Sequence, residues 1–197
     1  MNLWEIEREY AEKGYKLICG ADEAGAGPLA GAVYAAAVIL PLGLEIEGLN
    51  DSKKLSPKKR ETLFDIIQQK AIAWSINWVD ENEIDATDIL QARLKAMDMC
   101  INMLEPAADF ALIDGNRDKG IHCSHITVVK GDSRSANIAA ASILAKVSRD
   151  RYMIAQDEIY PEYGFARHKG YPTKAHYEAL RKHGPCPIHR KTFLKNL

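Results

Sequence analysis

Four carboxylates stand where a β-sheet would gather them. Asp22 and Glu23 close one apolar stretch, Asp114 closes a second, and Asp132 follows a third after a single glycine. In an open α/β sheet, ligands bind beyond the strand ends where the topology switches. If these stretches are neighbouring strands, three or four acids meet in a small volume. Such a cluster repels itself and drives pKa values upward. Divalent cations resolve that conflict: Mg²⁺ takes hard oxygen ligands and keeps several waters, so a few carboxylates plus substrate phosphate suffice. Two ions about 4 Å apart can serve the attacking and leaving oxygens of an in-line phosphate displacement. Each acid also has a plainer reading. Asp22 and Glu23 would form a polar turn, Asp114-Gly115-Asn116 an Asx turn, and Asp132 a cap for the helix that follows. Metal-assisted hydrolysis needs no Ser–His or Cys–His nucleophile, so the six histidines need no catalytic role. His168 and His189 lie in basic stretches and read as surface or phosphate contacts.

The elements that must position these acids are legible as periodicity. After an N-terminal helix, residues 16–21 read as a strand, 25–28 as a Gly/Pro break and 31–40 as a buried strand, together a hairpin. Ser56 and Pro57 open a helix to about Lys70, with serine as N-cap and proline in the first turn. A strand over 71–79, a helix over 88–104 and short strands over 110–114 and 126–130 follow. A long helix over 136–158 carries a small-residue face (Ala139, Ala140, Ala141, Ala145) able to lie close to a sheet. A last helix, 174–183, starts at the N-cap Thr173. The expectation is one α/β domain built on a mixed sheet over 1–160, with a small C-terminal helical subdomain over 161–197 packed on it.

Composition adds bounds. A chain of 197 residues, 47% hydrophobic and 27% charged, is ordinary for a globular domain. The charged N-terminus lacks the apolar run of a secretory signal, and no window approaches the roughly 18 apolar residues of a membrane span. A cytoplasmic protein without membrane association is expected. Its four scattered cysteines form no CxxC pair, so reduced thiols are expected rather than a zinc site. Net charge is −1, but residues 130–197 hold 13 of the 26 Lys and Arg and only 6 of the 27 Asp and Glu. A basic third beside an acidic remainder suits polyanion binding next to a metal site, and suits an unevenly charged surface equally.

Five stretches in order carry a resemblance: ADEAGAGPLAGAV (21–33), LNDSKKLSPKKR (49–60), ALIDGNR (111–117), VVKGDS with IAAASILAKVSRD (128–150), and YGFARHKGYPT (163–173). Together they resemble the bacterial ribonuclease HII group of the type 2 ribonucleases H, over about residues 16–193. The resemblance implies a ribonuclease H-like fold with a five-stranded mixed sheet. It implies catalytic, metal-binding carboxylates at Asp22, Glu23, Asp114 and Asp132, with two Mg²⁺ or Mn²⁺ ions. The implied reaction cuts 5′ to a ribonucleotide, in RNA–DNA hybrids or at single ribonucleotides in duplex DNA, leaving 3′-hydroxyl and 5′-phosphate ends.

Distinguishing RNA from DNA at one site requires reading the 2′-hydroxyl. Glycines let backbone groups approach a sugar closely, and the resemblance implies that Gly25, Ala26 and Gly27 do so together with Tyr171 of KGYP. The plainer reading of Tyr171 is a core tyrosine. One departure stands out: the family pattern DExGRGPxxG has arginine where this chain has Ala26. If that arginine holds a phosphate, its loss costs roughly 1.5–3 kcal/mol. The expectation is a weakened but ribonucleotide-specific enzyme; the alternative is a hybrid-binding protein with impaired cleavage. Ser52, Lys53, Lys54, Lys146, Arg149, Arg167 and Lys169 are the expected phosphate and duplex contacts, with Lys58–Arg60 as readily a solvated face. Lys174, Arg181 and Lys182 would cradle the duplex. A monomer is expected, and the tail over 191–197 resembles a clamp-binding peptide only vaguely.

Overall fold

The computed structural model describes residues 3–195, so the last two residues of the 191–197 tail lie outside the described residues. Helix α1 (Glu5–Glu12) leads into β1 (Ile18–Ala24) and β2 (Val33–Ile39). Then come α2 (Pro57–Lys70), β3 (Ala73–Val79), α3 (Glu81–Ala86), α4 (Ile89–Asn102), β4 (Phe110–Asp114), β5 (His125–Val128), α5 (Ala136–Ile159), α6 (Phe165–His168) and α7 (Lys174–His183). The strands form one mixed sheet of order β3-β2-β1-β4-β5. β1 pairs antiparallel with β2 and β2 with β3, whereas β1–β4 and β4–β5 are parallel.

Alternation along the strands sorts the two faces. Cys19 and Ala21 of β1, with Ala111 and Ile113 of β4, join the cluster containing Leu94, Met97 and Ile101 of α4. Ile18, Phe110 and Leu112 face Ile138 of α5 on the other side, where α2 and α5 also close over Ala36 and Val38. The alanine face of α5 is wholly buried. The helix comes so close that a Cβ on Gly20 would stand 2.2 Å from the Ile138 amide nitrogen. Side-chain caps fix the helix starts as their residue types suggest: Ser56 accepts from the Lys59 amide, Asp88 from Gln91, Ser135 from Ile138 and Thr173 from His176.

Three features differ from the sequence expectation. β1 does not stop at 21; Asp22, Glu23 and Ala24 continue the ladder opposite Ala36, Ala35 and Tyr34. The acids therefore sit inside the strand, with alternation still sorting them. α3, capped by Asp80, was not anticipated because only Ile84 of its six residues is buried and no apolar stripe exists to read. α6 is likewise a short turn of helix, too brief to show a periodicity, with only Phe165 buried. Beyond α5, the chain shares a hydrophobic cluster (Tyr163, Phe165, Leu180, Ile188) with Leu29, Ala30 and Met153, so the C-terminal segment packs against the β1–β2 connection. Among the described residues no helix is long and apolar enough to cross a membrane, and all four cysteines are free thiols.

Candidate active site

The register brings the acids together. Ala21 of β1 lies beside Ile113 of β4, so Asp22 and Asp114 are the next residues on adjacent parallel strands. Strand alternation points both toward the α5 face, continuing Gly20 and Leu112. Asp132 lies just past β5 in a 3-10 turn, Gly131–Ser133. The Gly131 N–H donates to Asp114 Oδ1 at 2.7 Å, tying the third acid's turn to the second acid. A side chain at 131 would press on Ile138 at 2.5 Å and on Asp114 at 3.1 Å, hence glycine before Asp132. Glu23 alternates to the opposite face, where Arg93 of α4 donates to its Oε1 at 2.9 Å. A groove of about 370 Å³ is lined by Asp51, Lys53, Lys54, Asp114, Asp132 and their neighbours.

Asp22 and Asp132 are only 5% and 6% exposed, and the electrostatics follow from that burial. Asp22 is pushed well above the usual carboxylate range by burial, then by Glu23 and Asp114. Glu23 is raised by burial, with Arg93 opposing and Asp114 adding to the rise. Asp132 is raised by burial and by Asp51 and Asp114, against Lys53. The Lys53 ammonium sits 3.6 Å from Asp132 Oδ2. Burial works against its charge, yet Asp22, Asp132, Asp51 and Asp114 outweigh it and raise its pKa.

These features fit a hard divalent cation: an all-oxygen donor set, carboxylates raised by burial and mutual repulsion, and a lysine ammonium standing in as counter-charge. One oxygen of each acid is already engaged. Asp22 holds the Glu23 amide at 2.7 Å, Asp114 holds Gly131, Glu23 holds Arg93 and Asp132 faces Lys53. Among the described residues no three of these side chains form a ready-made cage for one ion. Like charges without a counter-ion separate toward whatever donors are near, so metal binding requires modest side-chain turns rather than a new fold.

The expected sugar-reading residues adjoin this cluster along β1. Gly25 adopts φ +96°, and a Cβ there would stand 1.9 Å from Arg149 Nε; both facts demand glycine. Gly27 is exposed, and its absent Cβ would lie 3.9 Å from Tyr171 Cε1. Leu29 donates its N–H to the Gly170 carbonyl at 2.9 Å. The two loops expected to read the sugar are thus docked on each other. Tyr171 is 40% exposed, so it is not the core tyrosine of the plainer reading. Ala26 is half-buried between the two glycines.

The expected phosphate contacts separate into groups. Lys54 and Arg167 are exposed, as are Lys174, Arg181 and Lys182 on α7. Ser52 is buried, and its carbonyl, with that of Leu55, accepts from Arg60; Arg60 is therefore part of a local scaffold, whereas Lys58 and Lys59 are exposed. Lys146 is paired with Asp150 at 2.6 Å. Lys169 is half-buried in a left-handed backbone conformation, its ammonium turned back to the Ala166 carbonyl. Arg149 differs most from expectation. It is 1% exposed, and its guanidinium donates to the Ala32, Lys169 and Ala30 carbonyls at 3.1, 3.0 and 3.1 Å. An inward guanidinium with three carbonyl partners is not free to meet a phosphate.

His189 also departs from the surface role expected of it. It is 2% exposed, and burial and His176 hold its pKa down at about 4. Its ring lies 3.0 Å from His176 Nε2, and His176 Nδ1 lies 3.0 Å from the Tyr171 carbonyl. His168 is half-buried against His176. Three residues escaped sequence reasoning: Arg93, Asp51 and Arg190. Arg93 sits 70 positions from Glu23, with no local signal. Asp51 adjoins the SKK run and could have been grouped with it as an acid near the cluster. Arg190 holds the carbonyls of Gly25 and Ala26 from the far end of the chain, again with no local signal.

The family model for ribonuclease HII matches residues 19–196. The chain is 55% identical to the ribonuclease HII of Acetivibrio thermocellus over 190 residues, covering 96% of this chain and 74% of that one. It is 56% identical to the ribonuclease HII of Aliivibrio fischeri over 185 residues, covering 94% and 89%. The crystal structure of ribonuclease H2 from Pyrococcus horikoshii OT3 superposes with a TM-score of 0.74 at 26% identity, covering 90% of this chain and 93% of that one. With the sheet order, the acid cluster and these likenesses in hand, the chain belongs to the ribonuclease HII family and is a metal-dependent ribonuclease H type 2 hydrolase.

Proposed function

We propose that this protein is an endonuclease acting on RNA–DNA hybrids and on single ribonucleotides embedded in duplex DNA. It cuts 5′ to the ribonucleotide and leaves 3′-hydroxyl and 5′-phosphate ends. The observation that carries this reading is the adjacency, along β1, of a buried acid cluster and a glycine loop docked on Tyr171. The chemistry of the first is phosphodiester hydrolysis, and that of the second is recognition of a sugar hydroxyl.

Asp22, Glu23, Asp114 and Asp132 would hold Mg²⁺ or Mn²⁺, two ions in the active complex. Bound there, such ions would supply Lewis-acid polarisation of a phosphate and a more acidic water. The protein's own groups do the rest. Arg93 anchors Glu23 from behind, and the Gly131 amide orients Asp114. Lys53 balances Asp132 until cations and substrate arrive. Gly27 and Tyr171 form the wall against which the ribose rests. Lys54 and Arg167 stand exposed for backbone phosphates, where they position the duplex without reading sequence. Ala26 presents its main-chain amide as any residue would, and all four acids are retained, which supports a cleaving enzyme over a binding-only one. We further infer a monomeric cytoplasmic protein.

The test compares wild type with Asp114→Asn on a duplex bearing one ribonucleotide and on its all-DNA counterpart. Wild type should cut only the first. Outer-shell partners of a metal typically cost 10–100-fold when lost, so a ligand's loss should exceed about 100-fold in cleavage while duplex binding persists. Cleavage of the all-DNA duplex at a similar rate, or an Asp114→Asn protein of unchanged activity, would reject the assignment.

A further inference from the structure

Arg190, in the C-terminal segment, is fully buried. It spends its guanidinium on the glycine loop 165 residues earlier in the chain. Nη2 donates to the Gly25 carbonyl at 2.7 Å, Nη1 to the Ala26 carbonyl at 3.0 Å, and Nε and Nη2 to the Gly31 carbonyl at 2.9 and 2.7 Å. Arg149 holds the same loop's far half through Ala30 and Ala32, and its remaining nitrogen bonds the Lys169 carbonyl two residues before Tyr171. Between them the two forks hold both strands of the sugar-reading wall.

A trans peptide is planar, with its C=O and the following N–H pointing in opposite directions. Carbonyls of Gly25 and Ala26 drawn inward to Arg190 therefore turn the N–H groups of Ala26 and Gly27 away from it. Among the described residues neither N–H has a protein partner. Two adjacent donors face outward at the one stretch where Gly27 lies against Tyr171. We propose that Arg190, with Arg149 as its partner, is a positioning residue for substrate discrimination: it aims the Ala26 and Gly27 amides at the ribose 2′-oxygen. This rests on the reading of the loop as the sugar-recognition element and adds the residue that presets it.

The cost of the arrangement argues for function rather than stability alone. Two cations are buried side by side, and replacing buried charges with well-packed apolar groups is often neutral or stabilising. A planar fork of five donors in fixed geometry is what three converging carbonyls need, and a lysine ammonium cannot reproduce it. The grip is on main-chain atoms, so it is indifferent to the side chain at 26. The departure from the family's arginine leaves the donor pair intact.

The experiment uses the full chain, in EDTA to prevent cleavage. Binding is measured by fluorescence anisotropy to a duplex with one ribonucleotide and to the same duplex in all-deoxy form, with amide resonances of Ala26 and Gly27 followed by NMR. In wild type those two amides should shift with the ribonucleotide duplex and not with the deoxy one. If they respond alike to both, the loop does not read the sugar, and the inference falls with that reading. Given the selective response, Arg190→Lys should lower the ribo-over-deoxy affinity ratio at least fivefold, with deoxy affinity within twofold of wild type. A ratio equal to wild type in a folded Arg190→Lys protein overturns the role of Arg190 and leaves the loop reading standing. So does an equal loss of affinity for both duplexes. Should Arg190→Lys fail to fold, Arg149→Lys must show the same fall in the ratio, and its retention overturns the proposal.

Discussion

Asp22 binds its proton more tightly in the folded protein than in the unfolded chain, because burial, Glu23 and Asp114 all oppose its charge. The sign of its linkage follows. Below the ordinary carboxylate pKa of about 4 both states are protonated. As pH rises from there through the folded pKa, the unfolded chain releases its proton first and stability falls; above that window the penalty is fully present. Above the ordinary carboxylate range the metal-free protein therefore bears at Asp22 a penalty that an uncharged side chain would not. Asp22→Asn keeps the acceptor for the Glu23 amide and removes the charge. In EDTA at pH 7.5 the variant should be more stable than wild type in urea unfolding, and the difference should shrink as pH is lowered toward about 4. Adding Mg²⁺ should raise the thermal midpoint of wild type and leave the variant nearly unmoved, since a ligand stabilises only the state that binds it. A variant less stable than wild type in EDTA would show that Asp22 is not strained by its neighbours. The same substitution should abolish cleavage, separating stability from activity at one residue.

The sheet and α5 carry the next level of constraint. Gly20 lies opposite the turn where Asn137 and Ile138 begin α5, and its missing Cβ would come within 2.2–2.3 Å of their backbone atoms. Asn137 fastens the same junction, accepting from the Leu40 amide and donating to the Ile18 carbonyl. Overpacking of this kind usually costs about 1–3 kcal/mol, and a clash with backbone cannot be relieved by a rotamer. Gly20→Ala should therefore fall at or above the upper end of that range in urea unfolding, and should weaken Mg²⁺ binding because α5 follows directly on the turn holding Asp132. A loss below 0.5 kcal/mol would mean that the helix can lift off the strand freely. At this scale the sequence was most readable. Ser56-Pro57, Thr173 and the apolar stretch ending at Asp114 place α2, α7 and β4 where the structure has them, because caps and periodicity are local. The candidate acids are legible the same way, as polar residues that close apolar stretches of sequence. What stayed hidden was set by distance along the chain. Arg149 and His189 read as surface groups because charge and basic surroundings suggest water. Their burial is permitted only by carbonyls and rings that the fold brings from elsewhere. The Glu23–Arg93 pair was invisible for the same reason.

Across the whole molecule, charge is divided: residues 130–197 carry 13 basic side chains against 6 acidic ones, and the remainder is acidic. The structure refines which of those cations can act on a duplex. Arg149 and Arg190 are buried in loop scaffolding, and Lys146 is paired with Asp150, so all three drop out of the electrostatic footprint. Arg167, Lys174, Arg181 and Lys182 remain exposed, as does Lys54 from the acidic remainder. Each phosphate neutralised releases condensed counter-ions, so log K should fall linearly with log salt, by about 0.9 per contact on a duplex. Replacing Arg181 and Lys182 together by alanine should then reduce that slope by roughly 2 and weaken binding at low salt. The loss should be equal for duplexes with and without a ribonucleotide, because a phosphate is common to both. That pattern is the reverse of the one expected for Arg190→Lys, which should change the ratio between the two duplexes and leave the salt slope alone. If the double variant keeps the wild-type slope, α7 does not touch the duplex and the basic third of the chain is only an unevenly charged surface. If it changes the ratio instead, holding the duplex and reading the sugar are not separable, and α7 reaches the ribose through the histidine contacts that join it to Tyr171.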